Sequence, residues 1–289
     1  MDVAVPSCLD WARSSESGRA WLDGLPAALT ACAQQWNLEI GQPYADSFVS
    51  LVVPVTDGAG LELVLKIQLP HRESDTEADA LSLWNGDGAI RLIGHDVQRH
   101  ALLLEKCIPG VHLSTAGAVV GLDVMIDLLP RLWVPAGEPF PSLSDEVSRW
   151  VQALPIEFEE AGEPFERTLL DAAIETLTDL AASQGEQILI HQDLHGDNVL
   201  RAQREPWLAI DPKPLVGERE FGLSPIIRSC EFGHSRSAVV HRLDRLTSEL
   251  GVDRDRARLW ASGHAVAWGF EGGRVLPRHL ETARWLLDR

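Results

Sequence analysis

Asp193, Asn198 and Asp211 stand at spacings that suit phosphoryl transfer. In the stretch ILIHQDLHGDNVLRAQREPWLAIDPKP, residues 188–214, an apolar run ends at His191, and Asp193 and Asn198 follow five residues apart. After a polar turn a second apolar run, 207–210, ends on Asp211. Moving a phosphoryl group from a nucleotide needs one carboxylate to orient an attacking hydroxyl and accept its proton. It also needs a carboxylate and a carboxamide to hold magnesium against the phosphates. Asp193 fits the first role, Asn198 and Asp211 the second. The competing reading is a buried strand pair with ordinary turn acids, because short patterns also match by chance.

The pattern H-x-D-x-x-x-x-N, followed by an apolar strand and Asp, resembles the catalytic and metal-binding segments of the protein-kinase-like superfamily. A protein kinase would carry lysine two residues after the first Asp, where this chain has His195. That departure points to the small-molecule branch, the aminoglycoside phosphotransferases. HQDLHGDNVL with REPWLAIDPKPLVGE is similar to the group of streptomycin 6-kinases and hydroxyurea-resistance kinases. The resemblance spans residues 21–268 and is strongest over 191–218. It departs at Gln192, where glycine is frequent, at Asp197, where a small residue is frequent, and at Gly222, where aspartate is usual. Lys213 belongs to the group's DPKP turn, and the resemblance places its charge beside the transferring phosphoryl group; a structural salt bridge is the alternative.

Composition limits the rest. The 289 residues suit one large or two modest domains. No stretch approaches a membrane span, and MDVAVPSCLDWARSSESG lacks a basic segment followed by an apolar one, so a soluble cytoplasmic protein is expected. Cys8, Cys32, Cys107 and Cys230 are scattered, which indicates neither a zinc site nor a disulfide framework. A net charge of −18 argues against a nucleic-acid partner and suits a cationic small molecule. The basic residues are almost all arginine; the three lysines are Lys66, Lys106 and Lys213.

The elements that must position this chemistry can be read in order. Residues 11–36 carry Trp21, Leu22, Leu25, Leu29, Cys32 and Trp36 along one helical stripe, with Pro26 expected to split it into two helices. Two strands rich in branched residues follow, 48–55 and 61–67, separated by Thr56-Asp57-Gly58-Ala59-Gly60. Lys66 lies inside the second, where an unpaired ammonium is costly. Kinases pair such a lysine, which grips the nucleotide phosphates, with a glutamate on the next helix. Glu77, on the predicted helix 73–84, is favoured by the resemblance over Glu73. The loop Tyr44-Ala45-Asp46-Ser47-Phe48 contains no glycine. The resemblance makes Ser47 and Ser50 candidates for phosphate contacts. Residues 89–95 and 101–105 complete a five-stranded sheet. The ending LLLEKCIPG resembles the segment joining the kinase lobes, so Glu105, Lys106 and Cys107 would meet the adenine edge by main chain.

Beyond it, 115–133, 143–154, 166–183, 238–250, 254–270 and 277–287 show helical apolar spacing. The expected fold is therefore α+β and protein-kinase-like with two lobes. Residues 1–106 form an antiparallel-sheet nucleotide lobe, and 107–289 form a mainly helical lobe with the catalytic loops and acceptor site. His191 reads as a loop brace near Asp211. His195 reads equally as a core histidine, a loop brace or a substrate contact, and Glu218 as a substrate contact or a brace. Glu231, His264, Trp268 and Glu271 are acceptor-pocket candidates. The function implied by the resemblance is ATP- and Mg²⁺-dependent O-phosphorylation of a small cationic acceptor, an aminoglycoside with the streptidine 6-hydroxyl leading, by a monomer or weak dimer. The alternatives are a kinase of another small alcohol or sugar, and a nucleotide-binding pseudokinase.

Overall fold

The structure is a computed structural model that describes residues 5–45 and 47–287. Asp46, in the predicted phosphate loop, lies outside the described residues. The described residues form two compact units, one running to Gly110 and including Ala202–Pro206, the other containing Val111–Arg201 and residues 207–287.

In the first unit a 3-10 segment, Ser7–Ser14, leads into α1, Glu16–Trp36. Ser15 caps α1 by accepting from the Gly18 amide at 3.0 Å. Pro26 does not split the helix: α1 runs through it as one element. The reason is tertiary. Leu22, Leu25, Leu29 and Cys32 are buried against the sheet residues Leu51, Val53, Leu65 and Ile67, and this packing outweighs one missing backbone hydrogen bond. After β1, Leu38–Ile40, come β2, Ser50–Asp57, and β3, Glu62–Gln68. Helix α2, Glu77–Trp84, precedes β4, Leu92–Asp96, and β5, Ala101–Glu105. These strands make one antiparallel sheet in the order β1-β2-β3-β5-β4. Residues 202–206 belong to this unit because Arg204 donates to Glu105 at 2.8 and 2.9 Å and to the carbonyls of Gly86 and Ala89 at 2.7 and 3.0 Å. The boundary at residue 106 expected from the sequence leaves this turn in the helical lobe, and the Arg204 contacts draw it to the first unit.

The second unit is mainly helical. Helices α3, Ala118–Leu132, α4, Leu143–Glu160, and α5, Arg167–Ala182, precede four short strands. These are β6, Ile188–Ile190, β7, Val199–Arg201, β8, Trp207–Ala209, and β9, Leu215–Gly217. Short helices α6, Arg219–Gly222, and α7, Ser224–Arg228, are followed by α8, Arg236–Leu250, and α9, Arg254–Ala267. A two-stranded hairpin, β10, Phe270–Glu271, with β11, Arg274–Val275, leads to α10, Pro277–Leu287. The core gathers Leu143, Leu154 and Phe158 of α4, Leu170 and Leu177 of α5, both ends of β6, and Phe221 and Trp260. Among the described residues no helix is long and apolar enough to cross a membrane.

Candidate active site

Two ribbons in the second unit set the acids. β6 pairs with β9, Ile190 opposite Leu215, and β7 pairs with β8, Val199 opposite Ala209. The two apolar runs of the motif thus belong to different ribbons. One more backbone bond extends each ribbon: the Lys213 amide donates to the His191 carbonyl at 3.0 Å beyond the end of β6–β9, and the Ile210 amide to the Asn198 carbonyl at 2.9 Å beyond the end of β7–β8. His191 is buried, and burial pushes its pKa down to about 4 against the pull of Asp193. The ring is therefore neutral, and its Nε2–H donates to the Ile210 carbonyl at 2.9 Å. Gln192 and Asp211 both adopt the left-handed region, with φ of 62° and 55°. Aspartate tolerates this conformation; glutamine adopts it less readily, which is why glycine suits position 192.

Asp193 lies where these loops converge. Its Oδ2 is 2.8 Å from Lys213 Nζ, and its Oδ1 is 3.6 Å from Arg228 Nη2 and 3.9 Å from His195 Nε2. Asn198 Nδ2 donates to the Asp193 carbonyl at 2.9 Å, so the group Asn198 offers as a ligand is its oxygen. That oxygen and the Asp211 carboxylate are hard donors of the kind that could hold magnesium.

His195 is held from the other side. Its Nδ1 meets Glu231 Oε1 at 2.7 Å, while Glu231 Oε2 accepts from the Gly196 amide at 2.5 Å. A Cβ at Gly196 would fall 2.4 Å from that oxygen, so the close approach requires glycine. Burial opposes the charged form of His195, but the Glu231 carboxylate and Asp193 outweigh it and raise the pKa above the usual histidine value. With a raised folded-state pKa, the stabilisation from His195 is complete below pH 6.5 and fades as pH rises through the folded value. The melting-temperature difference between wild type and His195→Gln should therefore be largest at acidic pH and shrink above neutrality. A difference that grows toward pH 9 would contradict this pairing. Of the readings open for His195, the structure supports a loop brace. Asp197 is exposed; its carboxylate accepts from the Ser114 hydroxyl, and its carbonyl meets His112 Nδ1 at 2.8 Å.

The structure decides between the two readings of Glu218 and corrects the acceptor-pocket candidate His264. Glu218 is 2 % exposed and accepts from Arg256 Nε at 2.6 Å, from the Gly185 amide at 3.1 Å and from Trp260 Nε1, so it is a brace. Glu218→Ala would leave Arg256 and Trp260 without their carboxylate and should cost about 3 kcal/mol of stability, measured by urea unfolding. His264 is wholly buried among Trp150, Phe221 and Trp268, at ring distances of 5.5, 5.3 and 4.9 Å, and burial next to Arg228 drives its pKa well down. It is a neutral core histidine. Glu231 keeps a side chain 21 % exposed while one oxygen meets His195 and the other the Gly196 amide. Glu271 is exposed on the β10–β11 hairpin, and Trp268 is half-buried with Lys213 Nζ and the Arg228 guanidinium over its ring at 4.9 and 4.7 Å.

Sequence reasoning missed Arg228 and Arg242. Arg242, from α8, is 1 % exposed and donates to the carbonyls of Ile227, Ser229, Phe232 and Gly233 at 2.7 to 3.3 Å. Burial lowers its pKa to about 10, so it stays charged and shapes the loop that carries Arg228 and Glu231. The available signal was a lone arginine within an apolar run, LSPIIRS, the same anomaly that marked Lys66.

In the first unit, Lys66 Nζ donates to both carboxylate oxygens of Glu77 at 2.8 and 2.6 Å, and Gln68 Nε2 donates to Glu77 Oε2 at 2.7 Å. Glu73 instead lies 3.8 Å from Arg72. Ser50 is buried in β2, and the Ser47 hydroxyl is buried without a hydrogen-bond partner among the described residues. Trp11 stacks on Phe48 at 5.2 Å and donates its indole N–H to the Phe48 carbonyl at 2.9 Å, tethering the end of the predicted phosphate loop. The Glu105 amide donates to the Arg91 carbonyl, and its carboxylate is held by Arg204. Lys106 pairs with Glu62 at 2.5 Å, and burial raises the Cys107 thiol to about 12.

The family model described as aminoglycoside/hydroxyurea antibiotic resistance kinase matches residues 35–273. The chain belongs to this kinase family. The kinase is 36 % identical over 284 residues to a streptomycin 6-kinase of Streptomyces griseus, covering 94 % of this chain and 92 % of the relative. It is 37 % identical over 282 residues to a hydroxyurea phosphotransferase of Kitasatospora aureofaciens, covering 94 % and 82 %. Its fold is similar to that of a choline/ethanolamine kinase family protein from Mesorhizobium loti, with a TM-score of 0.66 at 12 % identity over 93 % of this chain and 95 % of the other. The kinase is accordingly a phosphotransferase acting on a hydroxyl, with the α+β protein-kinase-like fold expected from its motifs.

Proposed function

We propose that this kinase transfers the γ-phosphoryl group of ATP to a hydroxyl of a small cationic acceptor, the 6-hydroxyl of streptomycin first among them, and so confers resistance. The observation that carries the reading is Asp193, a largely buried carboxylate gripped by Lys213 at 2.8 Å and faced by Arg228 at 3.6 Å, in a chain 36 % identical to a streptomycin 6-kinase. Asp193 orients the acceptor hydroxyl and takes its proton as attack proceeds. Lys213, already beside that carboxylate, supplies positive charge to the transferring group. Lys66, aligned by Glu77, steadies the α- and β-phosphates. Asn198 and Asp211 would hold magnesium, which neutralises phosphate charge when bound. Ser47, Ser50 and the main chain at Glu105, Lys106 and Cys107 are the remaining nucleotide contacts in this reading. The exposed acids Asp197 and Glu271, in a chain of net charge −18, favour a cationic acceptor.

The test is ADP release with ATP and magnesium against streptomycin, other aminoglycosides, amino sugars and hydroxyurea. Turnover that depends on streptomycin and places phosphate on the 6-hydroxyl supports the reading. The 37 % identical hydroxyurea phosphotransferase makes hydroxyurea the second acceptor to read. Turnover only on a neutral sugar would move the function to another metabolite kinase, and ATP binding without turnover on any acceptor would sink the phosphotransferase reading of this site.

A further inference from the structure

Arg228 faces Asp193 from α7, yet its side chain is nearly enclosed and its hydrogen bonding is sparse. Among the described residues its Nε has no partner, and the one acceptor within hydrogen-bond distance of the guanidinium is His279 Nε2, 3.2 Å from Nη1. The guanidinium also lies over the Trp268 ring, 4.7 Å from its carbon, and 3.6 Å from Asp193 Oδ1. His279 also meets the Trp268 carbonyl, 2.6 Å from its Nδ1.

These two contacts fix the imidazole. A carbonyl can only accept, so Nδ1 must carry the hydrogen. A guanidinium can only donate, so Nε2 must offer its lone pair. Both partners demand the same neutral tautomer, and a protonated ring would turn an N–H toward Arg228. Burial, with Arg228 adding to it, pushes the His279 pKa down to about 4, in keeping with a ring that stays neutral at physiological pH. His279 therefore joins the residue that forms the face under Arg228 to Arg228 itself. His279 lies on α10, outside the residues 35–273 that the family model matches.

We infer that His279 is a positioning residue for phosphoryl transfer: through its Nδ1–H tautomer it holds Arg228 on the Trp268 face and so sets the guanidinium against Asp193. The inference rests on Asp193 acting in the transfer as proposed above. It does not require His279 to touch substrate or move a proton.

Two amides separate this role from simple packing. In His279→Asn the side-chain amide reaches the place of Nδ1 and can still donate to Trp268, but nothing accepts from Arg228. In His279→Gln the carbonyl oxygen reaches the place of Nε2 and accepts from Arg228, at the expense of the Trp268 contact. The full-length variants would be assayed with ATP, magnesium and streptomycin, with melting temperatures recorded alongside. His279→Asn should lower kcat about tenfold with little change in the KM for ATP, and His279→Gln should recover most of it, since a hydrogen bond to a charged group is at stake. Equal losses in kcat for the two variants, tracking their melting temperatures, would overturn the inference. Nitrogen-15 NMR of the imidazole at neutral pH gives a readout independent of turnover: the Nδ1–H tautomer is required, and an Nε2–H tautomer overturns the proposal. Should the wild type turn over no acceptor, the functional reading and the positioning role fall together, whereas wild-type turnover with equal losses in the two variants, or an Nε2–H tautomer, overturns the inference alone.

Discussion

Asp193→Ala should lower kcat by about 10³-fold, within the range for loss of a general base, while ATP still binds. The separation is expected because the residues read as gripping nucleotide, Lys66 with Glu77 and the pair Asn198 and Asp211, are untouched by the change. Asp193 also has a structural role, since Lys213 and Arg228 both approach its carboxylate and both lie over the Trp268 ring. Alanine removes the anion between two cations, so some loss of melting temperature should accompany the loss of turnover. Asp193→Asn keeps the volume and removes only the charge and basicity. It should be as inactive as the alanine variant, and equilibrium binding of ATP measured by calorimetry should remain within a few-fold of wild type for both. Turnover that survives in either variant would show that another group takes the proton.

The second large effect is on stability. Glu77→Ala should destabilise the kinase by about 3–5 kcal/mol, the range for breaking one side of a buried ion pair. Glu77 is 2 % exposed and, among the described residues, accepts two hydrogen bonds from Lys66 and one from Gln68. Removing it leaves an ammonium inside β3 without the carboxylate that receives it at 2.6 and 2.8 Å, in a position only 6 % exposed. Glu77→Gln keeps a hydrogen-bond acceptor and should cost less. Chemical unfolding measures both, and a proposed consequence is a raised KM for ATP even where the variant remains folded. A Glu77→Ala protein as stable as wild type would mean that other groups satisfy Lys66 as well as Glu77 does.

The features that could be read from the sequence were those in which one residue breaks a local pattern. Lys66 interrupts an apolar strand, Asp193 and Asn198 stand at a fixed offset beyond another, and Asp211 closes a third run. Helix periodicity placed α3 to α5 and α8 to α10 because an apolar face repeats along each. Pro26 was misjudged because a local rule was applied where burial of Leu22, Leu25 and Leu29 decides. Sequence leaves Glu218 open between a substrate contact and a brace, and makes His264 a pocket candidate, because it shows a polar group but not its enclosure; Arg256 and Trp260, which account for Glu218, lie 38 and 42 residues downstream. Arg228, Arg242 and His279 have the same character. Their meaning resides in carbonyls, a ring face and a lone pair brought together from α7, α8, α9 and α10, and no spacing within one element announces it.

The scarcity of lysine gives the kinase a set of built-in chemical reporters. Its three side-chain amines all lie in ion pairs: Lys66 with Glu77, Lys106 with Glu62, and Lys213 with Asp193. An amine-acylating reagent followed by peptide mass spectrometry therefore reads one position beside the glutamate of α2, one at the end of β5 and one beside the carboxylate that faces Arg228. Lys106 and Lys213, with side chains 23 % and 25 % exposed, should acylate well ahead of Lys66 at 8 %. Ligands can then be mapped by which of the three adducts they suppress, without a substitution anywhere in the chain.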